Sequence, residues 1–197
     1  MKHKIRGIVC IVVGLILAFS GAGLYAHYEH SASEAGQNAQ KLLYDLEPEI
    51  ILKQPAVDAP QEEAPKKSMV QTTLNGYDLI GIIRISEANI DLPVLASWDY
   101  DLLQISPCRY SGSVYTDDLI LLAHNYEEHF GNLDLLENGD AVEFIDIEGN
   151  IHSFYMAKSE ILEPTQVDEL TKADYPLALF TCTPGGYSRL VIYCEYK

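Results

Sequence analysis

One thiol lies between two apolar runs near the C-terminal end of the chain. The run 177–181 ends at Cys182, a Pro-Gly-Gly turn follows at 184–186, and a second run begins at Arg189. Two such runs joined by a turn are typical of an antiparallel strand pair. We therefore expect the nucleophile Cys182 and the permanent cation Arg189 to lie where both can reach one substrate carbonyl.

A candidate base for this thiol lies upstream. His124 follows the apolar run 119–123, which is long enough for a buried strand, so we expect its imidazole at a strand end. A free cysteine is only slightly ionised near neutral pH, and an adjacent imidazole activates it. The alternative is a buried Cys182 that packs as a small hydrophobe beside a purely structural His124.

The segments around these residues resemble the sortases, a family of membrane-anchored cysteine transpeptidases of Gram-positive bacteria. Ala-Leu-Phe-Thr-Cys at 178–182, followed by Arg189, is similar to the family signature Thr-Leu-x-Thr-Cys…Arg. Further similar segments occur in the family's order at 80–85, 90–94, 121–125 and 130–133. The resemblance covers residues 74–197.

Three positions depart from the family pattern. Ala178 replaces the first Thr of the signature, and Ala123 replaces the Gly that commonly precedes the His. Only six residues separate Cys182 from Arg189, which leaves the class open between B-like and D-like. None of these departures removes a reactive group.

The resemblance implies an acyl transfer. Cys182 would attack the Thr carbonyl of a Leu-Pro-x-Thr-Gly-like sorting signal in a secreted protein, His124 would protonate the leaving amine, and Arg189 would stabilise the oxyanion. An amine of a cell wall precursor or of a pilin lysine would then open the thioester. Thr181 and Thr183 are the expected substrate-binding residues, with a structural role of Thr181 as a β-branched strand residue as the alternative. A backbone N–H near Thr183 is expected as a second oxyanion donor.

Two other functions fit the same residues. A membrane-tethered cysteine peptidase would use the same three groups but let water reach the thioester. A non-catalytic β-barrel that binds peptides or envelope polymers would leave Cys182 unreactive.

Short apolar runs separated by turn residues continue from Leu74 to the C-terminus. They lie at 79–85, 90–95, 119–123, 141–147, 151–158, 177–182 and 189–196. The turn residues 148–150 between two alternating runs predict a hairpin. This pattern predicts an all-β domain with short helices, closed or nearly closed into a barrel. The resemblance implies eight strands.

The N-terminus has the pattern of a membrane anchor. Residues 1–6 are basic, and residues 7–26 carry no charge. About twenty apolar residues cross a bilayer as a helix. The basic flank favours a cytoplasmic N-terminus, so we expect a single-pass cell membrane protein with an extracellular catalytic domain. A cleaved signal peptide is the alternative, because small residues occur at 20–26.

These patterns divide the chain into three parts. Residues 1–26 form the basic tip and the transmembrane anchor. Residues 27–73 contain a short helix at 30–46 and a Pro-rich extracellular spacer. Residues 74–197 form the catalytic domain.

The charge excludes one class of partner. The chain has 29 acidic and 13 basic residues and a formal net charge of -16. A nucleic acid needs a basic footprint, so we expect no nucleic-acid binding.

We expect no resident cofactor, with Ca²⁺ as the alternative because some sortases bind it. The nearest acidic candidates are Asp117 with Asp118, Glu127 with Glu128, and Asp146 with Glu148. None has the spacing of a calcium-binding loop, so solvated acidic faces are the favoured interpretation. His129, five residues after His124, does not match a zinc spacing.

The other cysteines give no disulfide framework. Cys10 lies in the apolar N-terminal segment. Cys108 and Cys194 are expected to be buried free thiols, with a bond between them as the alternative.

Overall fold

The computed structural model describes residues 2–53 and 69–197. In these two ranges a long helix, α1 (Lys2–Ile51), precedes nine strands. The strands are β1 Thr72–Leu74, β2 Tyr77–Ile85, β3 Ile90–Leu95, β4 Cys108–Ser111, β5 Leu119–Leu122, β6 Ala141–Asp146, β7 Ile151–Leu162, β8 Leu177–Cys182 and β9 Arg189–Tyr196. Short 3₁₀ helices lie at Ser86–Ala88, Leu102–Gln104, Leu133–Leu135 and Pro164–Lys172.

Eight of these strands close into a barrel. Their order is β2, β3, β4, β5, β8, β9, β7 and β6, and β6 pairs back onto β2. The pairs β3–β4 and β5–β8 are parallel, and the other neighbours are antiparallel. The short β1 pairs with the start of β2. The predicted eight-stranded all-β fold is confirmed.

The apolar runs correspond to seven of the nine strands. Strands β1 and β4 carry no such run, because β4 reads Cys-Arg-Tyr-Ser and β1 has only three residues. The predicted hairpin joins β6 to β7, where the N–H of Asp146 donates to the Asn150 carbonyl at 3.0 Å. Gly149 adopts a φ of 86°, which suits the turn.

Strands β2, β3, β5 and β8 are buried on both faces, because one apolar cluster fills the barrel and a second lies on its outer face. In β8, Leu177 and Leu179 pack inside the barrel, whereas Ala178 and Phe180 pack in an outer cluster. The outer cluster includes residues from α1 and from the Pro164–Lys172 helix, namely Leu42, Leu43, Leu46, Ile50 and Leu170. Burying one such side chain contributes roughly 1.5–3 kcal/mol, so these helices stabilise the barrel from outside.

Helix α1 differs from the sequence expectation. The short helix expected at 30–46 is the C-terminal half of one continuous helix, and its apolar side is buried. These buried residues recur every three or four positions, namely Ala32, Ala35, Ala39, Leu42, Leu43, Leu46 and Ile50. The spacing makes one helical face, so this half of α1 packs on the barrel. Most of the Pro-rich spacer, residues 54–68, lies outside the described residues.

The N-terminal half of α1 remains free of the barrel. Within Cys10–Ile51 it contains a stretch long and apolar enough to cross a membrane, and none of that stretch is buried. This is compatible with the expected membrane anchor.

Barrel closure depends on Gly81. This residue pairs with Asp146 where β2 meets β6. A Cβ at position 81 would lie 2.2 Å from the carbonyl oxygen of Ile145 and 2.8 Å from Cζ of Phe144. Only glycine allows the two strands to approach this closely.

The substitution Gly81→Ala should lower the free energy of unfolding by about 3 kcal/mol, because the new methyl group forces β6 away from β2. The control is Gly76→Ala, where the space around a Cβ is open and φ is +85°. The free energy of unfolding of this control should fall by only about 1 kcal/mol, because the added methyl group strains the backbone at a positive φ. Urea unfolding can be followed by the fluorescence of the single tryptophan, Trp98. Equal losses in both variants would contradict the steric explanation.

Candidate active site

Three neighbouring strands bring the three predicted catalytic residues into one row. Cys182 is the last residue of β8 and pairs with Arg189, the first residue of β9. Strands β5 and β8 run in parallel, with Leu122 opposite Phe180. His124 lies two residues beyond Leu122, as Cys182 lies two residues beyond Phe180. The register therefore places His124 beside Cys182.

The three side chains also share one face of the barrel. Their neighbours Ala123 and Leu190 belong to the interior core or pack against it. Successive side chains along a strand point to opposite faces, so His124, Cys182 and Arg189 point outward. Adjacent strands lie about 4.8 Å apart, so the three groups can act on one peptide bond. All three are half-buried.

The imidazole of His124 is held on two sides. The side-chain amide nitrogen of Gln104 lies 2.9 Å from its Nε2 atom. The ring of Tyr126 packs on its face, with ring centroids 4.7 Å apart and planes at 31°. Burial lowers the pKa of His124 below its ordinary value, which favours the neutral imidazole near pH 7.

The guanidinium of Arg189 is tethered to the turn that precedes it. Its Nη1 atom donates to the carbonyl oxygens of Gly186 at 3.1 Å and Ser188 at 3.0 Å. A guanidinium carries five N–H donors. The tether therefore uses one nitrogen and leaves Nε and Nη2 to contact a bound carbonyl oxygen.

Thr181 corrects one prediction. It lies on the interior side of β8, only 3% exposed, and its hydroxyl donates to the Ala123 carbonyl at 2.9 Å. Because Thr181 and Cys182 are adjacent in a strand, they face opposite sides of the sheet. The expectation that Thr181 lines the substrate groove is therefore wrong. Its hydroxyl instead ties β8 to the chain segment that carries His124.

Thr183 corrects a second expectation. Its N–H donates to the Ser188 carbonyl at 3.0 Å, and its hydroxyl oxygen accepts from the Ser188 N–H at 3.1 Å. Both polar groups thus close the turn between β8 and β9. The Thr183 N–H is therefore not available as an oxyanion donor in this conformation, and its hydroxyl is engaged within the protein.

An aromatic wall flanks the row on the outer face. Trp98 stacks on Tyr110 with ring centroids 5.7 Å apart, and Tyr110 meets Phe180 edge to face at 5.4 Å. Phe180 is two residues before Cys182 on the same strand. The wall therefore borders the outer face next to the thiol.

A cavity of about 160 Å³ continues this face away from the thiol. The Pro164–Lys172 helix and the strands β5 and β8 border it, with Leu170, Ile120 and Ala178 in its lining. Ala178 precedes Cys182 by four residues, or about 13 Å along a strand. An extended peptide can therefore reach from this cavity to the sulfur.

The remaining thiols differ from Cys182. Cys108 and Cys194 are buried and free, so the disulfide alternative is wrong. Burial raises the pKa of each of these two thiols to about 12. Cys10 is exposed on α1. Cys182 is half-buried at a strand end and is the thiol of the barrel that a substrate can reach.

The acidic candidate Asp146 is already engaged. Its carboxylate accepts hydrogen bonds from Tyr115, Asn150 and His152. Burial opposes its ionisation, but these bonds outweigh burial and hold the pKa of Asp146 well below its ordinary value. Across the part of the chain that the structure describes, no group of three or more His, Cys, Asp or Glu side chains is arranged to hold a metal ion.

Sequence reasoning missed two residues at this site. Gln104 and Tyr126 contact the imidazole of His124, but neither belongs to a motif that points to it. Gln104 lies 20 residues upstream, in a 3₁₀ helix. Its contact with His124 arises only when the barrel closes, so no local pattern marks it.

A thiol, an imidazole and a guanidinium lie in one row on the outside of a small barrel, which is the arrangement that the sequence predicts for acyl transfer. The sortase-domain family model matches residues 83–197, more than half of the chain. The chain therefore belongs to the sortase family. No curated protein matches the chain in a sequence search.

Solved structures of sortases share the fold. The Clostridium perfringens sortase D5 transpeptidase superposes with a TM-score of 0.60 at 18% identity, covering 82% of this chain and 99% of that one. Sortase C from Clostridium perfringens SM101 superposes with a TM-score of 0.53 at 19% identity, covering 90% of this chain and 98% of that one. Streptococcus agalactiae sortase C1 superposes with a TM-score of 0.54 at 23% identity, covering 60% of this chain and 69% of that one.

His129 is buried near the catalytic row. It is fully inaccessible to solvent and lies next to the backbone of Ala35 in α1. Burial, assisted by the nearby His124, lowers the pKa of His129 to about 4. It is therefore a neutral packing residue near pH 7.

This shift predicts a pH-dependent stability. The unfolded chain protonates His129 near its ordinary pKa of 6.5, whereas the folded chain does so at about 4. Between these two pKa values the unfolded state binds more protons than the folded state. The contribution of His129 to the free energy of unfolding is therefore complete above pH 6.5 and declines as the pH falls toward 4.

The free energy of unfolding should thus fall by about 2 kcal/mol from this residue between about pH 7 and pH 5. The variant His129→Leu should lack this part of the decline, and urea unfolding of both proteins at the two pH values measures it. Parallel pH dependences would contradict the assignment.

Proposed function

We propose that this sortase cleaves a Leu-Pro-x-Thr-Gly-like sorting signal through a thioester on Cys182 and transfers the acyl group to an amine. The observation that carries the proposal is the row formed by His124, Cys182 and Arg189 across three hydrogen-bonded strands. The matching family model supports transpeptidase chemistry in general.

In the first step the neutral imidazole of His124 takes the proton of the Cys182 thiol, and the resulting thiolate attacks the substrate carbonyl carbon. The negative charge that develops on the carbonyl oxygen is stabilised by N–H donors of Arg189. The C–N bond then breaks, and the protonated His124 gives its proton to the departing amine. Burial lowers the pKa of His124 and makes its protonated form a stronger acid, which favours this transfer.

In the second step an acceptor amine attacks the thioester carbon. The amine loses a proton to His124, the sulfur leaves as the thiolate, and a new amide bond forms. The same guanidinium stabilises the second oxyanion. The proton on His124 then returns to the sulfur, so the neutral thiol and imidazole are restored and only the sorting signal and the acceptor amine are consumed.

The outer face of β8 is the proposed substrate groove. A peptide extended along it passes the aromatic wall of Trp98, Tyr110 and Phe180 and the cavity below the Pro164–Lys172 helix. These apolar surfaces suit the Leu and Pro of a sorting signal. The groove replaces Thr181 and Thr183 as the proposed substrate-binding surface.

The acceptor is proposed to be an amine of a cell wall precursor or of a pilin lysine. We further propose that α1 anchors the protein in the cell membrane with the catalytic domain outside. The apolar N-terminal half of α1 supports this placement.

The first test uses the full-length chain with a sorting-signal peptide and a free amine. The variant Cys182→Ala should give no product, and Arg189→Lys should slow transfer about a hundredfold or more, because an ammonium loses the fork geometry. Cys10→Ala and Arg84→Lys are matched controls, since Cys10 lies on α1 and Arg84 pairs with Glu47 and Asp91.

Mass spectrometry of the products separates the alternatives. Amide product that requires the amine supports the transpeptidase. Hydrolysed acid at the same rate with and without the amine identifies a cysteine peptidase. Undiminished product from Cys182→Ala refutes the role of this thiol.

The second test is alkylation of the folded protein with iodoacetamide near pH 7. Cys182 should be modified, whereas Cys108 and Cys194 should stay protected because both are buried. Peptide mapping after the reaction identifies the modified residues. An unmodified Cys182 would favour the non-catalytic peptide-binding barrel.

A further inference from the structure

The loop that follows His124 is a tight turn. The N–H of Phe130 donates to the His124 carbonyl at 3.1 Å, and the N–H of Gly131 donates to the Tyr126 carbonyl at 2.8 Å. A Cβ at position 131 would lie 2.6 Å from the Tyr126 carbonyl oxygen. The backbone of the loop therefore determines where the Tyr126 ring lies.

Tyr126 lies between the catalytic imidazole and α1. One side of its ring contacts His124, with centroids 4.7 Å apart. Tyr28 of α1 meets it edge to face, with centroids 5.3 Å apart and planes at 75°. Tyr126 is only 8% exposed, so these neighbours enclose it. The contacts form a continuous path from the helix to His124.

Small residues let α1 approach this loop closely. Ala32 and Ala35 form a buried cluster with Tyr126. A Cβ on Gly36 would lie 2.7 Å from Cγ of Glu128. In addition, the hydroxyl of Tyr28 donates to the Asn125 carbonyl at 3.4 Å. The helix is therefore packed against the loop along more than two turns.

We propose that Tyr126 is a positioning residue for His124, and that α1 is part of the catalytic apparatus because it holds Tyr126 against the imidazole. This inference rests on the proposed function of His124. Gln104 contacts the Nε2 atom at one edge of the His124 ring. Tyr126 covers the face of the same ring and so limits the rotation that this contact leaves free. An imidazole displaced by about 1 Å delivers its proton poorly, which can cost about a hundredfold in rate.

The Tyr126 ring also controls the solvation of His124. The titratable groups around the imidazole are Cys182 and Arg189 in the row, His129 and Tyr126 in the loop, and Tyr28 from α1. Burial is the cause of the lowered pKa of His124. Removing the Tyr126 ring should admit water and raise this pKa toward its ordinary value.

The experiment uses the full-length chain in lipid nanodiscs and four variants. Tyr126→Leu removes the aromatic ring beside His124, and Tyr126→Phe keeps it. Tyr28→Ala removes the support from α1 without touching His124. Tyr44→Ala is the control, because Tyr44 lies on the same helix and is 80% exposed.

Two measurements are made on each protein. The first is the pH profile of kcat and KM for peptide transfer. The second is the titration of His124 by NMR of isotope-labelled histidine, which needs no enzymatic activity. We expect Tyr126→Leu to lower kcat about tenfold or more with little change in KM, and to raise the pKa of His124.

Tyr126→Phe and Tyr44→Ala should match the wild type. Tyr28→Ala should shift both measurements in the direction of Tyr126→Leu, and it tests the proposal if Tyr126→Leu does not fold. Wild-type titration and wild-type kcat in both Tyr28→Ala and the folded Tyr126→Leu would overturn the proposal. If the wild-type protein transfers no peptide, the proposed function is refuted. If the variants nevertheless shift the titration of His124, the role of Tyr126 in positioning the imidazole stands.

Discussion

The register of β8 between its two neighbours is the constraint on which the site depends. Strand β8 pairs in parallel with β5 and antiparallel with β9, so the ends of three strands meet at one edge of the barrel. A shift of one residue in either pairing would turn His124 or Arg189 to the opposite face from Cys182. The hydroxyl of Thr181, bonded to the Ala123 carbonyl, helps to hold the parallel pair in register.

The two cores explain why the site is open at this place. Strands β2, β3, β5 and β8 are buried on both faces, so their outer face must be covered by other elements. Helix α1 and the Pro164–Lys172 helix provide this cover over much of the outer cluster. The row at the ends of β5 and β8 is only half-buried. The thiol, the imidazole and the guanidinium are therefore partly exposed where the cover ends.

Helix α1 links anchoring to the geometry of the site. Its N-terminal half is apolar and unburied, and its C-terminal half packs on the barrel. Because both belong to one helix, the loop that carries Tyr126 is joined to the apolar N-terminal part of the chain through one continuous element. The sequence predicts an anchor, a spacer and a catalytic domain, and it treats residues 27–73 as a connection between the first and the last. It therefore does not predict the contact between α1 and the loop that carries Tyr126.

The sequence by itself determined the barrel class and marked three candidate side chains, because apolar runs, turn residues and the Cys182 and Arg189 signature are local patterns. Only the tertiary structure decided which face each residue uses. Thr181 faces the interior because it alternates with Cys182 along the strand. The polar groups of Thr183 form hydrogen bonds within the turn between β8 and β9. The contact of Gln104 with His124 joins elements 20 residues apart in the chain. Tyr126 lies only two residues beyond His124, but its ring meets the imidazole because the loop turns back on itself. Both contacts exist only in the folded barrel.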